Sequence, residues 1–527
     1  MASATQCDVL IVGGSLVGLS AGAFLGHQGI AAQVVEKHAG TSIHPRAGYF
    51  HLGTMEAFRR IGLEAAIRQA SEEQFGPDGG INLVESLAGR ELAQFVPDIN
   101  AGVEPFSPCR RFFMTQQSLE PLLHSRAAEL GADLNYRTEL IGFEQHDDHV
   151  RAEVRNVDNG EVRTIHARYM IAADGNRSPV REALGIGMSG PGHLSDSITI
   201  YFRADCRPWL EGRKFGVIYV VNRDQRGFFR FEAGNTRGFL VVNTLGDLSL
   251  PRSTDVAGDT SPGRCAALVR SAVGVPDLPV EIEDVAVWKA VAETADAFRQ
   301  GRVFLAGDAA HVMPPTGGFG GNTGVQDAAN LAWKLALVLK GEAGEPLLDS
   351  YEAERRPVAL LTVEQAYARY VRRVTPEWIA PGTPEMRDEL TMEIGQFYRS
   401  SAIVGGRGAE EPACMHPDET RGRPGARVPH AWLGEAGGPS TIDCAAHGLA
   451  LLVAPGSPLS ASTASEATAS TGVPVETIEL APQPADRCGL GRSGAMLLRA
   501  DGFVAWRSAD RATADQLRQA LAAAVAA

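Results

Sequence analysis

A glycine-rich turn near the N-terminus is followed by an acidic residue at the spacing that nucleotide-binding proteins use. Gly13 and Gly18 match the first and third glycines of a dinucleotide fingerprint, Ser15 stands at its middle position, and Glu36 ends the next apolar run. Glycine lets the backbone approach a phosphate, and the carboxylate can accept hydrogen bonds from ribose hydroxyls. The pattern predicts a site for the ADP half of a dinucleotide. The alternative is a helix start packed by glycine beside a surface glutamate.

A second concentration of glycine follows an acidic residue in the middle of the chain. Asp308 comes directly after the apolar run 303–306, and a loop with Gly318, Gly320 and Gly321 follows it. The acid could accept hydrogen bonds from a ribityl chain, and bare backbone at a helix start could contact a flat ring through its N–H groups. A nicotinamide dehydrogenase needs only the first motif, whereas an extended FAD needs both. The two motifs together therefore predict FAD.

The elements around these motifs predict an α/β fold with a Rossmann-like FAD-binding domain. A strand over 9–12, a helix over 16–27 and a strand over 32–35 make a strand-helix-strand unit. Short alternating runs then predict an inserted antiparallel sheet that forms one wall of a substrate cleft. A mostly helical segment runs from about 349 to 398, and a linker rich in glycine and proline begins near 405. We expect four stretches along the chain: 1–185 as the first part of the FAD-binding domain, with a substrate-side segment near 75–110; 186–291 as the sheet; 292–400 as the second part of the FAD-binding domain with its helices; and 401–527 as a C-terminal domain.

Composition and charge limit the partners and the location. A net charge of −14 over 527 residues argues against nucleic acid or an anionic membrane surface as a partner. No apolar run reaches the roughly 20 residues of a membrane span, and the N-terminus lacks a signal-peptide pattern. The seven cysteines show no C-x-x-C spacing, so neither a disulfide framework nor a metal site is indicated. We expect a cytoplasmic protein with reduced thiols.

Three ordered motifs carry a resemblance to a known family. "GGSLVG", "AADGNRSPVREALGI" and "GDAAHVMPPTGGFGGNTG" resemble the FAD-dependent aromatic hydroxylases, the single-component flavoprotein monooxygenases similar to para-hydroxybenzoate and phenol hydroxylase. The chain is most similar to the branch that hydroxylates polyketide and other antibiotic aromatics. That branch carries a thioredoxin-like C-terminal domain, for which "LLRADGFVAWR" is the matching piece. Without C-x-x-C this domain cannot exchange dithiols, and we expect a role in stability or oligomer contact.

The resemblance implies which residues hold the cofactor. Asp174, Gly175, Ser178 and Arg181 match a D-G-x-x-S-x-x-R motif that is associated with both FAD and NAD(P)H. His311, next to the second glycine loop, is interpreted as a packing or hydrogen-bonding residue. The residues expected to bind the cofactor are Gly13, Ser15, Gly18, Glu36, Lys37, Arg46, Gln116, Asp174, Asp308, Gly318, Gly320, Gly321 and Asn322.

The resemblance also implies the reaction. NADH or NADPH would reduce the FAD, O2 would add to form a flavin C4a-hydroperoxide, and an aromatic substrate of phenolic or polyketide type would be hydroxylated. An oxidase or dehydrogenase of the same fold, acting on an aromatic or a quinone without oxygen insertion, is the alternative. A flavin-binding protein without catalysis is a third possibility. We expect a monomer or a homodimer.

The substrate residues are predicted from the inserted sheet and the following helix. Aromatic side chains on the sheet could stack on an aromatic ligand, and the candidates are Tyr201, Phe215, Tyr219 and Phe228. Tyr219, with its polar tip, is the preferred wall residue. Arg373 could hold a phenolate or a carbonyl, although an arginine on a solvated helix face is the alternative. Tyr219, Arg373 and Arg46 form the predicted catalytic set.

Overall fold

The first part of the chain builds most of a parallel sheet. The structure, a computed structural model, describes residues 4–42, 48–76, 79–244, 255–405, 412–459 and 461–525. The first elements are β1 (Ala4–Val12), α1 (Leu16–His27), β2 (Ala32–Glu36), α2 (Leu52–Arg60), α3 (Glu64–Phe75), β3 (Gly80–Val84), β4 (Glu91–Val96), α4 (Gln116–Glu129), β5 (Asp133–Tyr136), β6 (Thr138–Gln145), β7 (Val150–Asn156), β8 (Val162–Ala172) and α5 (Pro179–Ala183).

The middle of the chain supplies the long strands of a second sheet. Its elements are β9 (Met188–Arg203), α6 (Arg207–Leu210), β10 (Phe215–Val221), β11 (Arg226–Phe231), β12 (Arg237–Asn243), α7 (Pro262–Val273) and β13 (Glu281–Ala295). The chain then returns to the first sheet and becomes helical, through β14 (Arg299–Gln300), β15 (Val303–Leu305), β16 (His311–Val312), α8 (Phe319–Lys340), α9 (Asp349–Arg373) and α10 (Glu389–Ile394).

The C-terminal part forms a small sheet with helices. Its elements are α11 (Pro417–Thr420), β17 (Leu449–Val453), α12 (Ala461–Thr471), β18 (Val475–Glu479), α13 (Pro482–Arg487), β19 (Ala495–Leu498), β20 (Val504–Ser508) and α14 (Ala514–Ala524). The strand order is β18-β17-β19-β20, with β17 parallel to β18 and antiparallel to β19. This mixed order is that of a thioredoxin-like sheet.

The first sheet has eight strands, and its main path runs β14-β15-β8-β1-β2-β5. The successive pairs from β15 through β8, β1 and β2 to β5 are parallel, whereas the edge strand β14 is antiparallel to β15. Val9, Leu10 and Ile11 of β1 are fully buried, as the continuous apolar run of a central parallel strand requires. The predicted α/β class and the helix over 16–27 are confirmed by these elements.

The second sheet also has eight strands, in the order β16-β13-β9-β12-β11-β10-β3-β4. β3 and β4 come from residues 80–96, and β3 pairs with β10 in parallel, so the sheet is not purely antiparallel. One face packs on α7 through a core that includes Ile200, Ile218 and Leu268. Because side chains alternate along a strand, the residues between these core positions lie on the other face, where α9 contacts β9 through Tyr370 and Ser195.

Buried ion pairs fasten the C-terminal part to the helices α8 and α9. Glu354 accepts hydrogen bonds from Lys334 Nζ at 2.8 Å and from Arg499 Nη2 at 2.7 Å, and all three side chains are fully buried. Burial opposes ionisation of Glu354, but the two cations outweigh it and hold its pKa below the usual value. In the parts of the chain that are described, no helix has both the length and the apolar character of a membrane span.

Candidate active site

The acidic residues and glycines of the predicted motifs meet at one edge of the first sheet. β15, β8, β1 and β2 are parallel neighbours, so their carboxyl ends lie side by side. Asp308 follows β15, Asp174 follows β8, Gly13 follows β1, and Glu36 ends β2. Ligands of open α/β sheets bind at this edge, where loops diverge and helix N-termini point outward. The edge can therefore accommodate one extended ligand along these four positions.

Close backbone contacts explain two of the glycines in the first turn. Gly13 has φ 105°, and a Cβ there would lie 2.2 Å from the carbonyl oxygen of Ala173. A Cβ on Gly18, in α1, would lie 1.8 Å from the carbonyl oxygen of Gly13. Either side chain would push the turn away from β8 or from the helix. The glycines thus allow the turn, the helix start and the end of β8 to form one tight cradle.

Glu36 is held at the end of β2 by backbone donors. Its Oε2 accepts from the N–H of Gly14 at 2.8 Å, and its Oε1 accepts from the N–H of His38 at 2.8 Å. The carboxylate remains partly accessible, whereas the neighbouring Lys37 is exposed. The carboxylate is therefore oriented by the chain itself and open to a further donor.

Ser15 and Gln116 belong to a cluster around a carboxylate that the sequence analysis missed. Glu120 is fully buried and accepts from Leu16 N at 2.8 Å, from the Ser15 hydroxyl and from Gln116 Nε2. Gln116 Nε2 also lies 2.7 Å from Ser15 Oγ. A negative charge at the first turn of α1 is favoured by the helix dipole. Gln116 and Glu120 are one helical turn apart, and this spacing was the available signal.

Asp174, at the end of β8, has one buried carboxylate oxygen without a partner among the described residues. Its Oδ2 accepts from Val180 N at 3.1 Å, whereas its buried Oδ1 has no hydrogen-bond partner among the described residues. Burial raises the pKa of Asp174, although Ser178 and Val180 oppose that change. Arg181 of the same motif donates to the carbonyl of Ala309 at 3.0 Å, so the motif is tied to the turn that carries Asp308.

Asp308 lies on a turn that is supported from beneath by a buried charge cluster. Asp308 is exposed although Gly307 and Ala309 are buried. Asp327 of α8 accepts from Gly307 N at 3.2 Å, from Arg355 Nε at 2.8 Å, and pairs with His311 Nε2 at 2.7 Å. Burial opposes ionisation of Asp327, but Arg355 and His311 outweigh it and lower its pKa. His311 is thus a buried hydrogen-bonding residue, as predicted.

The start of α8 is fastened to a segment near residue 50. Asn322 Nδ2 donates to the carbonyls of Tyr49 at 2.8 Å and of Gly318 at 2.6 Å, and its Oδ1 accepts from His51 N at 2.9 Å. Burial lowers the pKa of His51 to about 3, so its neutral ring donates from Nε2 to the carbonyl of Gly317 at 2.9 Å. The Asn322 side chain is therefore engaged within the protein, which leaves only its backbone for a ligand.

Glycines open the first turn of α8. Gly320 and Gly321 directly follow Phe319 at the N-terminus of the helix, where the first N–H groups have no partner within the helix. A Cβ on Gly320 would find its nearest neighbour, Met313 Cγ, only at 3.7 Å. The first turn can thus present N–H groups to a flat ligand with partial positive charge behind them.

A continuous row of aromatic rings lies on the face of the second sheet opposite α7. Ring centroids are 5.9 Å apart for Phe95 and Tyr219, 5.8 Å for Tyr219 and Phe228, 6.3 Å for Phe228 and Phe239, and 6.1 Å for Phe239 and Tyr201. Phe215 does not join this row, because it packs in the core under α7 on the opposite face. Regular alternation would place Phe215 and Tyr219, four residues apart, on the same face, but the register shift between Phe215 and Val217 in the pairing of β10 with β3 moves Phe215 to the other face.

The two arginines of the predicted catalytic set have different outcomes. The guanidinium of Arg373, at the end of α9, lies 5.6 Å from the ring centroid of Phe95 and 3.9 Å from Glu389 Oε1. The side chain is 11% exposed, so it borders the aromatic row rather than a solvated helix face. Arg46 lies outside the described residues.

Comparisons with known proteins identify the family. A family model for FAD-binding domains matches residues 6–366, and a model for the C-terminal region of aromatic-ring hydroxylases matches residues 421–527. A 4-methyl-5-nitrocatechol 5-monooxygenase of Burkholderia sp is 51% identical over 520 residues, which cover 96% of this chain and 95% of that protein. The chain belongs to the FAD-binding aromatic-ring hydroxylases.

Further relatives of this hydroxylase agree in sequence and in structure. An aklavinone 12-hydroxylase of Streptomyces peucetius is 39% identical over 455 residues, which cover 85% of this chain and 91% of that protein. The crystal structure of an aklavinone-11 hydroxylase with FAD and aklavinone matches with a TM-score of 0.92 and 35% identity over 99% of both chains. The predicted family, fold and FAD-dependent aromatic monooxygenase activity are confirmed, and the oxidase and non-catalytic alternatives are set aside.

The residues at the sheet edge fit an FAD. The glycine cradle would be filled by a Cβ at Gly13 or Gly18, Glu36 is oriented toward a hydroxyl donor, and the buried Oδ1 of Asp174 has an open acceptor position. Backbone N–H donors at a glycine turn suit phosphate groups, and carboxylate acceptors suit hydroxyl groups. FAD has a pyrophosphate in its middle, with ribose hydroxyls on one side and ribityl hydroxyls on the other. The assignment of individual residues to parts of the FAD stays a prediction.

Proposed function

We propose that this hydroxylase uses NADH or NADPH as its reductant and oxidises a phenolic ring held between the aromatic row and the start of α8. The aromatic row is the observation that carries the proposal. Its rings would stack on a planar ligand and keep water from it. Phe113 packs on Tyr49, Tyr49 packs on His51, and His51 packs on Phe319 at the start of α8. This chain of rings, which reaches the row's strand β11 at Arg230, supports a ligand position next to the flavin ring.

The chain's own residues would position both reactants. Glu36 would accept from the adenosine ribose, Asp308 from the ribityl or pyrophosphate region, and the first turn of α8 would donate N–H groups to the flavin ring. The chemistry that FAD supplies when bound is activation of O2 with electrons taken from the nicotinamide. Tyr219 would orient a substrate hydroxyl, and Arg373 would stabilise negative charge at the far end of the row.

A small phenol carrying an electron-withdrawing group is the proposed substrate class. The relative with 51% identity is a 4-methyl-5-nitrocatechol monooxygenase, whereas the aklavinone and tetracenomycin relatives that act on polyketides are 37–40% identical. The identity favours a catechol-sized ligand. A polycyclic polyketide is the second candidate, because the row runs across neighbouring strands from Phe95 to Tyr201.

The test is a coupled assay on the purified, FAD-loaded protein. NADH and NADPH oxidation would be followed with 4-methyl-5-nitrocatechol, catechol and aklavinone, and the products analysed by mass spectrometry under 18O2. We expect one phenol to accelerate nicotinamide oxidation and to gain one 18O atom. Failure of every aromatic to do both would refute the proposal. Use of NADH or NADPH also supports the proposed cytoplasmic location. Analytical ultracentrifugation of the purified protein would distinguish the expected monomer or homodimer from larger assemblies.

A further inference from the structure

Arg230 is a buried cation on the face of the second sheet that carries the aromatic row. It lies in β11, two residues after Phe228 of the aromatic row, and is 3% exposed. Its guanidinium carbon is 3.9 Å from the ring centroid of Phe75 and 3.7 Å from that of Phe113. Two aromatic faces thus hold the guanidinium by cation–π contacts and fix its plane.

No anion within the described residues neutralises this cation. Nε and Nη1 of Arg230 have no hydrogen-bond partner there, and no carboxylate lies within ion-pair distance. Other buried arginines are paired, since Arg111 contacts Glu393 at 2.8 Å and Arg355 contacts Asp327 at 2.8 Å. Burial lowers the pKa of Arg230, opposed only by Tyr49. An unpaired buried charge is costly, and cation–π contacts offset only part of that cost.

A chain of ring contacts connects Arg230 to the start of α8. A Cβ on Gly48 would be 3.9 Å from Arg230 Cδ, and Phe113 packs on Tyr49 with ring centroids 5.0 Å apart. The Tyr49 ring in turn would contact a Cβ on Gly318, just before α8, at 3.2 Å. These contacts link Arg230, in the middle strand of the aromatic row, to the start of α8 through Phe113 and Tyr49, whereas Arg373 contacts Phe95 at one end of the row.

We propose that Arg230 binds a negatively charged oxygen of the aromatic substrate, so that the enzyme selects ionised phenols over neutral aromatics of the same shape. This inference rests on the proposed function. A planar fork of N–H donors, fixed by two rings and without an internal acceptor, matches a phenolate or a nitro oxygen. The same donors could instead meet an anionic oxygen of the cofactor, and the experiment separates these two sources.

The experiment compares two isosteric probes on FAD-loaded protein at pH 8. 4-Nitrocatechol carries an acidified hydroxyl, whereas 4-nitro-1,2-phenylenediamine has the same shape and stays neutral. Calorimetric Kd values are measured for wild type, Arg230→Gln, Arg230→Lys and the control Arg237→Gln. Arg237 lies on the next strand, is exposed and pairs with Glu283 at 2.8 Å. FAD affinity and the thermal midpoint of each variant are measured in parallel.

We expect Arg230→Gln to weaken 4-nitrocatechol binding by about 10- to 100-fold, the loss of a charge-assisted hydrogen bond, and to leave the diamine nearly unchanged. Arg230→Lys should retain part of the preference, and Arg237→Gln all of it. Because an unpaired buried charge is removed, the ligand-free thermal midpoint of Arg230→Gln should not fall.

Three results would overturn the inference. Equal losses for both probes would mean that Arg230 acts only through packing. Weaker FAD binding with unchanged probe affinities would assign the cation to the cofactor. Equal affinity of the wild type for both probes would show that ionised substrates are not selected. The proposed hydroxylation of a phenol and the proposed role of Arg230 can thus fail separately. Equal affinities would refute the role of Arg230 but not the hydroxylation, and a lack of hydroxylation would refute the proposed function but not affect the measured affinities.

Discussion

Replacing Gly18 with alanine should damage the FAD site although it adds only one methyl group. The new Cβ would lie 1.8 Å from the carbonyl oxygen of Gly13 and 2.9 Å from its carbon. An ordinary contact begins near 3.4 Å, so about 1.6 Å of movement is needed between the helix and the turn. α1 is packed against α4 and α8, which resist such a shift. The turn that should hold the pyrophosphate would be the part that yields.

The size of the effect follows from the same contacts. Overpacking of this kind costs about 1–3 kcal/mol in free energy of unfolding. Each N–H donor that loses its phosphate costs about 1.5–3 kcal/mol of FAD binding, equivalent to about 10- to 100-fold in Kd. Gly22→Ala is the matched control in α1, because its Cβ would find neighbours no closer than 3.5 Å. A helix-interior glycine to alanine change at such a site stabilises by about 0.5–1 kcal/mol.

The assay titrates FAD into each apoprotein by flavin fluorescence and records thermal midpoints with and without FAD. Gly18→Ala should bind FAD at least about 10-fold more weakly than wild type and unfold at a lower temperature. Gly22→Ala should bind FAD normally and unfold at the same or a higher temperature. If both variants bound FAD with the same affinity, the close contact between α1 and the turn would not govern the cofactor site.

Three further perturbations test other parts of the molecule. Glu354→Gln leaves the buried Lys334 without its carboxylate and leaves Arg499 with Asp501 alone, so it should lower the free energy of unfolding by about 3 kcal/mol in urea titrations. Glu364→Gln, exposed on the same helix, should change little, and equal losses for the two variants would contradict the role of the cluster. The pKa of His51 is about 3 in the folded protein and 6.5 in the unfolded chain. Between these pH values the unfolded chain binds one proton more than the folded protein, so the free energy of unfolding falls as the pH drops. His51→Gln should reduce this slope by up to about 1.4 kcal/mol per pH unit, and parallel stability curves for wild type and variant would refute the argument. Tyr219→Ala should weaken binding of a phenolic ligand by about 10-fold, whereas Tyr219→Phe should retain most of the affinity. Phe215→Ala, on the opposite face, should lower the free energy of unfolding without changing the affinity. The reverse pattern would show that the two residues are assigned to the wrong faces.

Local sequence patterns were enough to predict much of the fold and the position of the cofactor motifs. The predicted helix over 16–27 coincides with α1, and the predicted strand over 32–35 is one residue shorter than β2. Both depend on short-range periodicity between a glycine turn and an acid. The strand preceding Asp308 was predicted on the same basis. Because parallel strands end at a common edge, these local predictions also placed the motifs together correctly.

Contacts between distant residues depended on the tertiary structure. Glu120 meets Ser15 across 105 positions, and Arg355 meets Asp327 across two helices, although neither pair stands out in the sequence. β3 joins the second sheet as a parallel neighbour of β10. No local pattern in residues 80–84 predicts this pairing. Such pairings are set by how helices and sheets pack, and packing sums many weak contacts over the whole chain.

The sequence by itself determined that an FAD-type edge and an alternating sheet exist in this chain. The tertiary structure alone decided which face each side chain of that sheet takes, and so placed Tyr219 in the aromatic row, Phe215 in the core and Arg230 without an anionic partner in the part of the chain that is described. Alternation along a strand defines two faces but does not order them. The packing of α7 on one face, and of α9 on part of the other through Tyr370 and Ser195, decides which side each residue of the sheet takes.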